Sequence, residues 1–258
     1  MTDTTPRGRF VWYDLLTTDP DAAASFYTKV AGWGTQDWPG GAKPYTMWTT
    51  HDSPIGGVME LAPEMKAGMP PHWIGYVSVP DVDASAKEAE SLGGKVLTAP
   101  MDIPEVGRFA VISDPQGAAI AIFTPTNVPP GHEGKPNVGE ISWHELTTTD
   151  HAKAYDFYQK LFGWNKTSVM DMGDAGEYQM YGRGDDVLGG MWTKPADMPM
   201  PPNWLYYIRV PNVDEAAERV KALGGQVLNG PMDVPGGDRI AQCIDPQGAA
   251  FAVHSRAD

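Results

Sequence analysis

Apolar and polar residues alternate along Phe10-Val11-Trp12-Tyr13-Asp14-Leu15, the period of a half-buried strand. Asp19-Pro20 then supplies an N-cap and a proline for the first helical position. Ala23, Phe26, Tyr27 and Val30 follow at helical spacing, and Gly32 is suited to stop the helix. Short strands are predicted around Tyr45-Thr46-Met47-Trp48 and Gly57-Val58-Met59-Glu60-Leu61. The pattern restarts with a strand from Trp73 to Val79, a cap at Asp81, a helix from Val82 to Leu92 and a Gly93-Gly94 stop. Strands at Lys95-Val96-Leu97, Phe109-Ala110-Val111-Ile112 and Ala119-Ile120-Ala121-Ile122-Phe123 complete a second unit of the same kind. The order is βαβββ, twice.

All of this then repeats. Asp114-Pro115-Gln116-Gly117-Ala118-Ala119 returns as Asp245-Pro246-Gln247-Gly248-Ala249-Ala250, and Leu92-Gly93-Gly94 as Leu223-Gly224-Gly225. Trp12 returns as Trp143, Phe26-Tyr27 as Phe157-Tyr158, and Gly32-Trp33 as Gly163-Trp164, each offset by 131 positions. Between Trp33 and Trp73 the second copy carries two extra residues before losing them again. The expected organisation is an α+β chain of four βαβββ modules, in domains over 1–127 and 141–258 with a Pro/Gly-rich linker over 128–140. A four-stranded sheet with one helix on it leaves its other face free, and two such faces together enclose a cleft for a small ligand. Whether modules pair as neighbours or crosswise is left open by the pattern.

Composition narrows the partners. The 19 basic against 33 acidic residues give a net charge of −14. Phosphate backbones and anionic lipid would repel such a chain, so a small-molecule ligand is expected, and neither nucleic acid nor membrane. The N-terminal stretch lacks an apolar signal core and no apolar run reaches membrane length, which points to the cytoplasm, as monomer or homodimer. The single Cys243 excludes an internal disulfide and a multi-thiolate zinc site, and its apolar surroundings argue for a buried, inert thiol.

A strand, then Asp19 leading to Phe26-Tyr27 and Gly32-Trp33, closed by Asp114-Pro115-Gln116-Gly117 before an alternating apolar strand, resembles the vicinal oxygen chelate superfamily. That superfamily includes glyoxalase I, bleomycin-resistance proteins, extradiol dioxygenases and methylmalonyl-CoA epimerase. The duplicated form is similar to the PhnB-like actinobacterial type, with the 27 kDa antigen proteins. The resemblance implies a fold of paired modules around clefts, and in metal-dependent members His, Glu or Gln ligands from the first and last strands of each module. Carried onto this chain, those positions fall at Trp12, Glu60, Ile74 and Ala121, and in the second copy at Trp143, Thr193, Leu205 and Ala252. Indole, aliphatic and methyl side chains offer a first-row metal no lone pair. The expectation is therefore no metal and no cofactor.

Alternation places Trp12 and Asp14, and in the copy Trp143 and Glu145, opposite the leucines that pack on the helix, while Ser142 and His144 fall with the leucines. A carboxylate on a concave face is costly unless paired or functional. Desolvation beside an indole suits Asp14 and Glu145 to proton transfer; alternatively they accept internal hydrogen bonds or pair with an arginine such as Arg209. The same count brings His72 and Tyr76, and in the copy Tyr207, Arg209 and His254, to the ligand side. Trp48 and Trp192 also fall on strands near it, whereas Trp33, Trp73, Trp164 and Trp204 read as core. His51, His132 and His151 fall in loops or at a helix start. The function expected is metal-independent binding of a small aromatic or carbonyl-bearing molecule, with Asp14 and Glu145 as candidate catalytic groups. Trp12, Trp143, Tyr76, Tyr207, His72, Arg209, His254 and Glu60 are the candidate substrate contacts. The alternatives are a metal-dependent lyase or dioxygenase using Glu60 with His72, Asp14 or His254, and a non-enzymatic interaction protein.

Overall fold

The computed structural model describes residues 7–40, 45–62, 68–127 and 134–257. Its first half runs β1 (Phe10–Thr17), α1 (Pro20–Val30), β2 (Gly34–Asp37), β3 (Thr46–Thr50), β4 (Ser53–Glu60), β5 (His72–Ser78), α2 (Val82–Ser91), β6 (Lys95–Ile103), β7 (Gly107–Ser113) and β8 (Ala119–Pro125). The second runs β9 (Ile141–Thr148), α3 (His151–Phe162), β10 (Asn165–Asp171), β11 (Glu177–Arg183), β12 (Asp186–Thr193), β13 (Asn203–Arg209), α4 (Val213–Ala222), β14 (Gln226–Asp233), β15 (Arg239–Ile244) and β16 (Ala250–Ser255). The βαβββ order holds four times. A 3₁₀ turn at Gly173–Ala175 lies where the second copy carries its two extra residues.

Each helix starts as the sequence dictates. Asp19, Asp81, Asp150 and Asn212 all sit in extended backbone, and their side chains accept the N–H of Ala22, Ala84, Lys153 and Glu215 at 2.9–3.1 Å. These caps satisfy donors that a helix start otherwise leaves orphaned. Gly163 closes α3 in the left-handed region at φ 74°, a conformation that costs glycine nothing.

The strands form two eight-stranded mixed sheets, β2-β3-β4-β1-β5-β8-β7-β6 and β10-β11-β12-β9-β13-β16-β15-β14. In each, the first strand runs parallel to the fourth, with Asp14 beside Gly57 and Glu145 beside Gly190. By packing, the chain divides into two compact units, and these take the modules crosswise. One comprises Met1–Trp12, Ile74–Pro130 and His144–Trp204; the other comprises Tyr13–Trp73, Gly131–Trp143 and Leu205–Asp258. The second module thus packs with the third, and the first with the fourth.

Each unit has an aromatic core centred on a helix tyrosine. Tyr27 of α1 is fully buried between Trp33, Trp48 and Trp73, with ring centroids 5.2–5.8 Å away. Tyr158 of α3 is surrounded likewise by Phe162, Trp164 and Trp204 at 5.3–5.7 Å. Trp48 therefore departs from the expectation that it lines a ligand face. It lies across from Gly56, whose missing side chain leaves room for the indole, and its Nε1 donates to the Gly57 carbonyl at 2.8 Å. Cys243 is buried as expected, and burial pushes its thiol up to about 12, so no reactive thiolate forms at neutral pH.

Candidate functional site

The two candidate carboxylates are buried, and each is held by a phenol, Tyr45 just before β3 and Tyr178 within β11. Asp14 of β1 is 3% exposed and accepts the Tyr45 hydroxyl at 2.7 Å. Glu145 of β9 is 9% exposed and accepts the Tyr178 hydroxyl at 2.9 Å. Both bonds pass over a glycine of the intervening strand. A Cβ on Gly57 would lie 2.1 Å from the Tyr45 ring, and one on Gly190 only 1.9 Å from that of Tyr178. So the strand between carboxylate and phenol must be bare at that position. Gly190→Ala is expected to push Tyr178 off Glu145 and to cost about 1–3 kcal/mol, as overpacking of a filled site does. Urea unfolding of that variant beside the parent checks it.

Tyr45 and Tyr178 escape the pattern reading because they lie in the slipped segment. They are offset by 133 rather than 131, as are Gly57 and Gly190. Aligning that segment with its two-residue slip is the signal that finds them.

The other candidates separate. Trp12, Trp143 and Trp192 are half-buried, and Glu60 at the end of β4 is exposed. Tyr76 is buried against Phe109 and Phe123, with ring centroids 6.1 and 6.4 Å away. Tyr207 is buried, and its hydroxyl accepts from Gln242 Nε2 at 2.9 Å. His72 Nδ1 bonds the Pro70 carbonyl at 2.8 Å, and burial lowers its pKa below the ordinary histidine value. Arg209 donates through Nη1 to the Pro136 carbonyl, and the Asp14 and Glu145 carboxylates accept phenol hydroxyls. His254 lies between two partners: Nδ1 is 2.8 Å from Ser142 Oγ, and Nε2 is 2.9 Å from Asp238 Oδ2. His144 stacks on Phe10 at 3.7 Å, in the aromatic core of its unit. His51 is exposed in a turn, His151 opens α3 against Thr193, and His132 lies outside the described residues.

Among the described residues, no three His, Cys, Asp or Glu side chains come together to hold an ion. Glu60, His72, Asp14 and His254, the alternative donors, form no such group.

Comparison with known proteins fits this architecture. The model of the Glyoxalase/Bleomycin resistance protein/Dioxygenase superfamily matches residues 9–122 and again 140–253. The chain is 37% identical over 248 residues to "Putative glyoxylase CFP32" of Mycobacterium tuberculosis, covering 94% of this chain and 92% of that protein. It is 33% identical over 259 residues to "Anthracycline biosynthesis protein DnrV" of Streptomyces peucetius, covering 95% and 92%. Among solved structures, the Mn(II)-bound glyoxalase from Novosphingobium aromaticivorans superposes with a TM-score of 0.63 at 18% identity, covering 98% of this chain and 83% of that one. The 2,3-dioxygenase LapB from Pseudomonas sp. KL28 superposes with a TM-score of 0.67 at 12% identity, covering 98% and 94%. At these identities the solved structures share the fold alone.

Proposed function

We propose, since the chain belongs to the Glyoxalase/Bleomycin resistance protein/Dioxygenase superfamily, that it binds a small aromatic or carbonyl-bearing molecule without a metal, with Asp14 and Glu145 handling protons beside the carbonyl. The observation that carries this reading is the buried carboxylate–phenol pair, present in both copies although the segment carrying the phenol has slipped by two residues. A carboxylate withdrawn from water is a stronger hydrogen-bond acceptor and a better proton carrier than one on the surface. The phenol fixes one carboxylate oxygen and sets the orientation of the group toward a substrate. Half-buried Trp12 and Trp143, two positions before each carboxylate, supply planar surface against which an aromatic molecule stacks. The relative named for anthracycline biosynthesis, similar over nearly its whole length, supports a planar, carbonyl-bearing class of ligand.

The metal-dependent alternative draws support from the fold of the Mn(II)-bound glyoxalase, but not from the side chains here. Where ligands would stand, the first copy keeps Glu60 as a donor and the second only the weak hydroxyl of Thr193, while Trp12, Ile74, Ala121, Trp143, Leu205 and Ala252 offer a first-row metal nothing.

Titration of a hydroxyanthraquinone, followed by quenching of tryptophan fluorescence, tests the reading. Binding is expected to be the same in excess EDTA as with added Mn(II). The double variant Asp14→Asn, Glu145→Gln is expected to bind at least about tenfold more weakly, because one charge-assisted hydrogen bond is worth roughly 1.5–3 kcal/mol. Binding that appears only with the metal, or is unchanged in a folded double variant, would overturn the proposal.

A further inference from the structure

Ser142, His254 and Asp238 lie in line within one compact unit, and nothing in the carboxylate–phenol chemistry uses them. Ser142 Oγ is 2.8 Å from His254 Nδ1, and His254 Nε2 is 2.9 Å from Asp238 Oδ2. The carboxylate fixes the tautomer: it can only accept, so Nε2 carries the proton and Nδ1 is left to receive the serine hydroxyl. The serine has a second acceptor in reach, the Tyr207 carbonyl at 3.2 Å, and the imidazole is the nearer one. Asp238 is itself anchored, its Oδ1 accepting the Ala257 N–H at 3.0 Å. The imidazole side chain is 12% exposed and the carboxylate 36%, so the base is sheltered while the end of the chain of bonds meets solvent. Partial burial opposes ionisation of Asp238, but the bonds from His254 and the Ala257 N–H hold its carboxyl below the usual range.

The duplication supplies an internal control. The equivalent positions in the first copy are Val11, Phe123 and Gly107. There the Phe123 ring occupies the space, and a Cβ on Gly107 would lie 2.7 Å from it. An apolar filling is thus sufficient for the fold at this corner. The second copy replaces all three residues by groups that make a hydrogen-bonded series, and each replacement adds a polar function where the fold asks for none.

We propose that Ser142 is a nucleophile, with His254 as its general base and Asp238 as the positioning residue, and that this corner hydrolyses small acyl esters. Ser142 Oγ bonds to the ester carbonyl carbon while its proton passes to His254 Nδ1. The bond from that carbon to the alcohol oxygen breaks as the same proton moves to the leaving alcohol. Water then adds to the acyl-serine, giving a proton to His254. The carboxylic acid departs as that proton returns to Ser142 Oγ, so ester and water yield acid and alcohol with no other reactant. Arg209, the register partner of His254 on β13, interacts with the charge of Asp238 and so brings positive charge to the same corner.

The test treats the whole protein with an alkyl fluorophosphonate and maps the adduct by peptide mass spectrometry, beside turnover of p-nitrophenyl acetate. The expected result is phosphonylation at Ser142, and ester hydrolysis that falls at least about 100-fold in Ser142→Ala and in His254→Phe, the residue tolerated in the first copy. Asp238→Asn is expected to lower kcat about 100-fold with KM little changed, a split that loss of structure alone would not give. No adduct at Ser142 in the parent protein, or hydrolysis by a folded Ser142→Ala variant equal to the parent, overturns the proposal.

Discussion

Replacing Asp245 by alanine is expected to remove roughly 3–5 kcal/mol of stability, a large share of what holds a typical domain folded. The reason is the number of groups this one carboxylate satisfies. Its Oδ1 accepts the N–H of Gln247, Gly248 and Ala249 at 2.8–2.9 Å, folding the turn between β15 and β16 around itself. Its Oδ2 accepts the Tyr27 hydroxyl at 3.1 Å, and the Tyr27 oxygen in turn accepts Trp73 Nε1 at 3.0 Å. Asp245 and Tyr27 are separated by 218 residues, so the bond locks the helix of the first module to the last hairpin of the fourth. Burial, then the charge of Asp245, raises the Tyr27 pKa well above its ordinary value, which keeps the proton on the phenol. Asp114, Tyr158 and Trp204 repeat the arrangement in the other unit, with bonds of 3.1 and 3.2 Å. Asp114→Ala should cost as much. Tyr27→Phe should cost about 1–2 kcal/mol alone and less in an Asp245→Ala background, because the two groups share one network. Urea denaturation of the four variants measures both the cost and the coupling. Additive losses would mean that the network is not a unit.

Nearly all of this lock was written in the sequence except its connection. Phe26-Tyr27 and Asp245-Pro246-Gln247-Gly248 stand out because they recur, and local rules read a helix face from one and a turn from the other. That Tyr27 meets Asp245 rather than Asp114 depends on the crosswise packing of modules, which a periodicity within one element does not contain. The same reason hid the partners of Asp14 and Glu145. Strand alternation singled out both carboxylates as candidates, but Tyr178 comes from a strand two places away and Tyr45 from just before one, each across a bare glycine. Alternation also puts Ser142 with the leucines and His254 on the ligand side, whereas Ser142 Oγ is 2.8 Å from His254 Nδ1. Caps, helices, repeat and the core positions of Trp33, Trp73, Trp164 and Trp204 follow from local chemistry and were legible; the burial of Trp48 and the contacts that join modules were not.

Acid is expected to unfold this protein through His144 more than through its buried aspartates. The Asp114 and Asp245 carboxyls are raised above their ordinary pKa, chiefly by burial. A raised acid binds its proton more tightly in the folded state, so its stabilising contribution is complete below about pH 4 and is lost as pH climbs through the folded pKa. Protonating these two groups therefore favours the fold. His144 has the opposite sign. It is stacked on Phe10 with rings 11° from parallel, and its Nδ1 donates to the Leu188 carbonyl at 2.7 Å. Burial lowers its pKa from 6.5 to about 4. The unfolded chain takes up this proton first as pH falls, so the contribution is present above pH 6.5 and is lost between 6.5 and about 4. At roughly 1.4 kcal/mol per unit, the loss across that window is about 3 kcal/mol. His144→Phe keeps an aromatic ring to stack on Phe10 and removes the titration. Its cost at pH 7 includes the lost bond to Leu188, roughly 1 kcal/mol. Urea unfolding at pH 7 and pH 4 should show the parent losing about 3 kcal/mol more than His144→Phe between the two conditions. Equal losses in both proteins would place the acid sensitivity elsewhere.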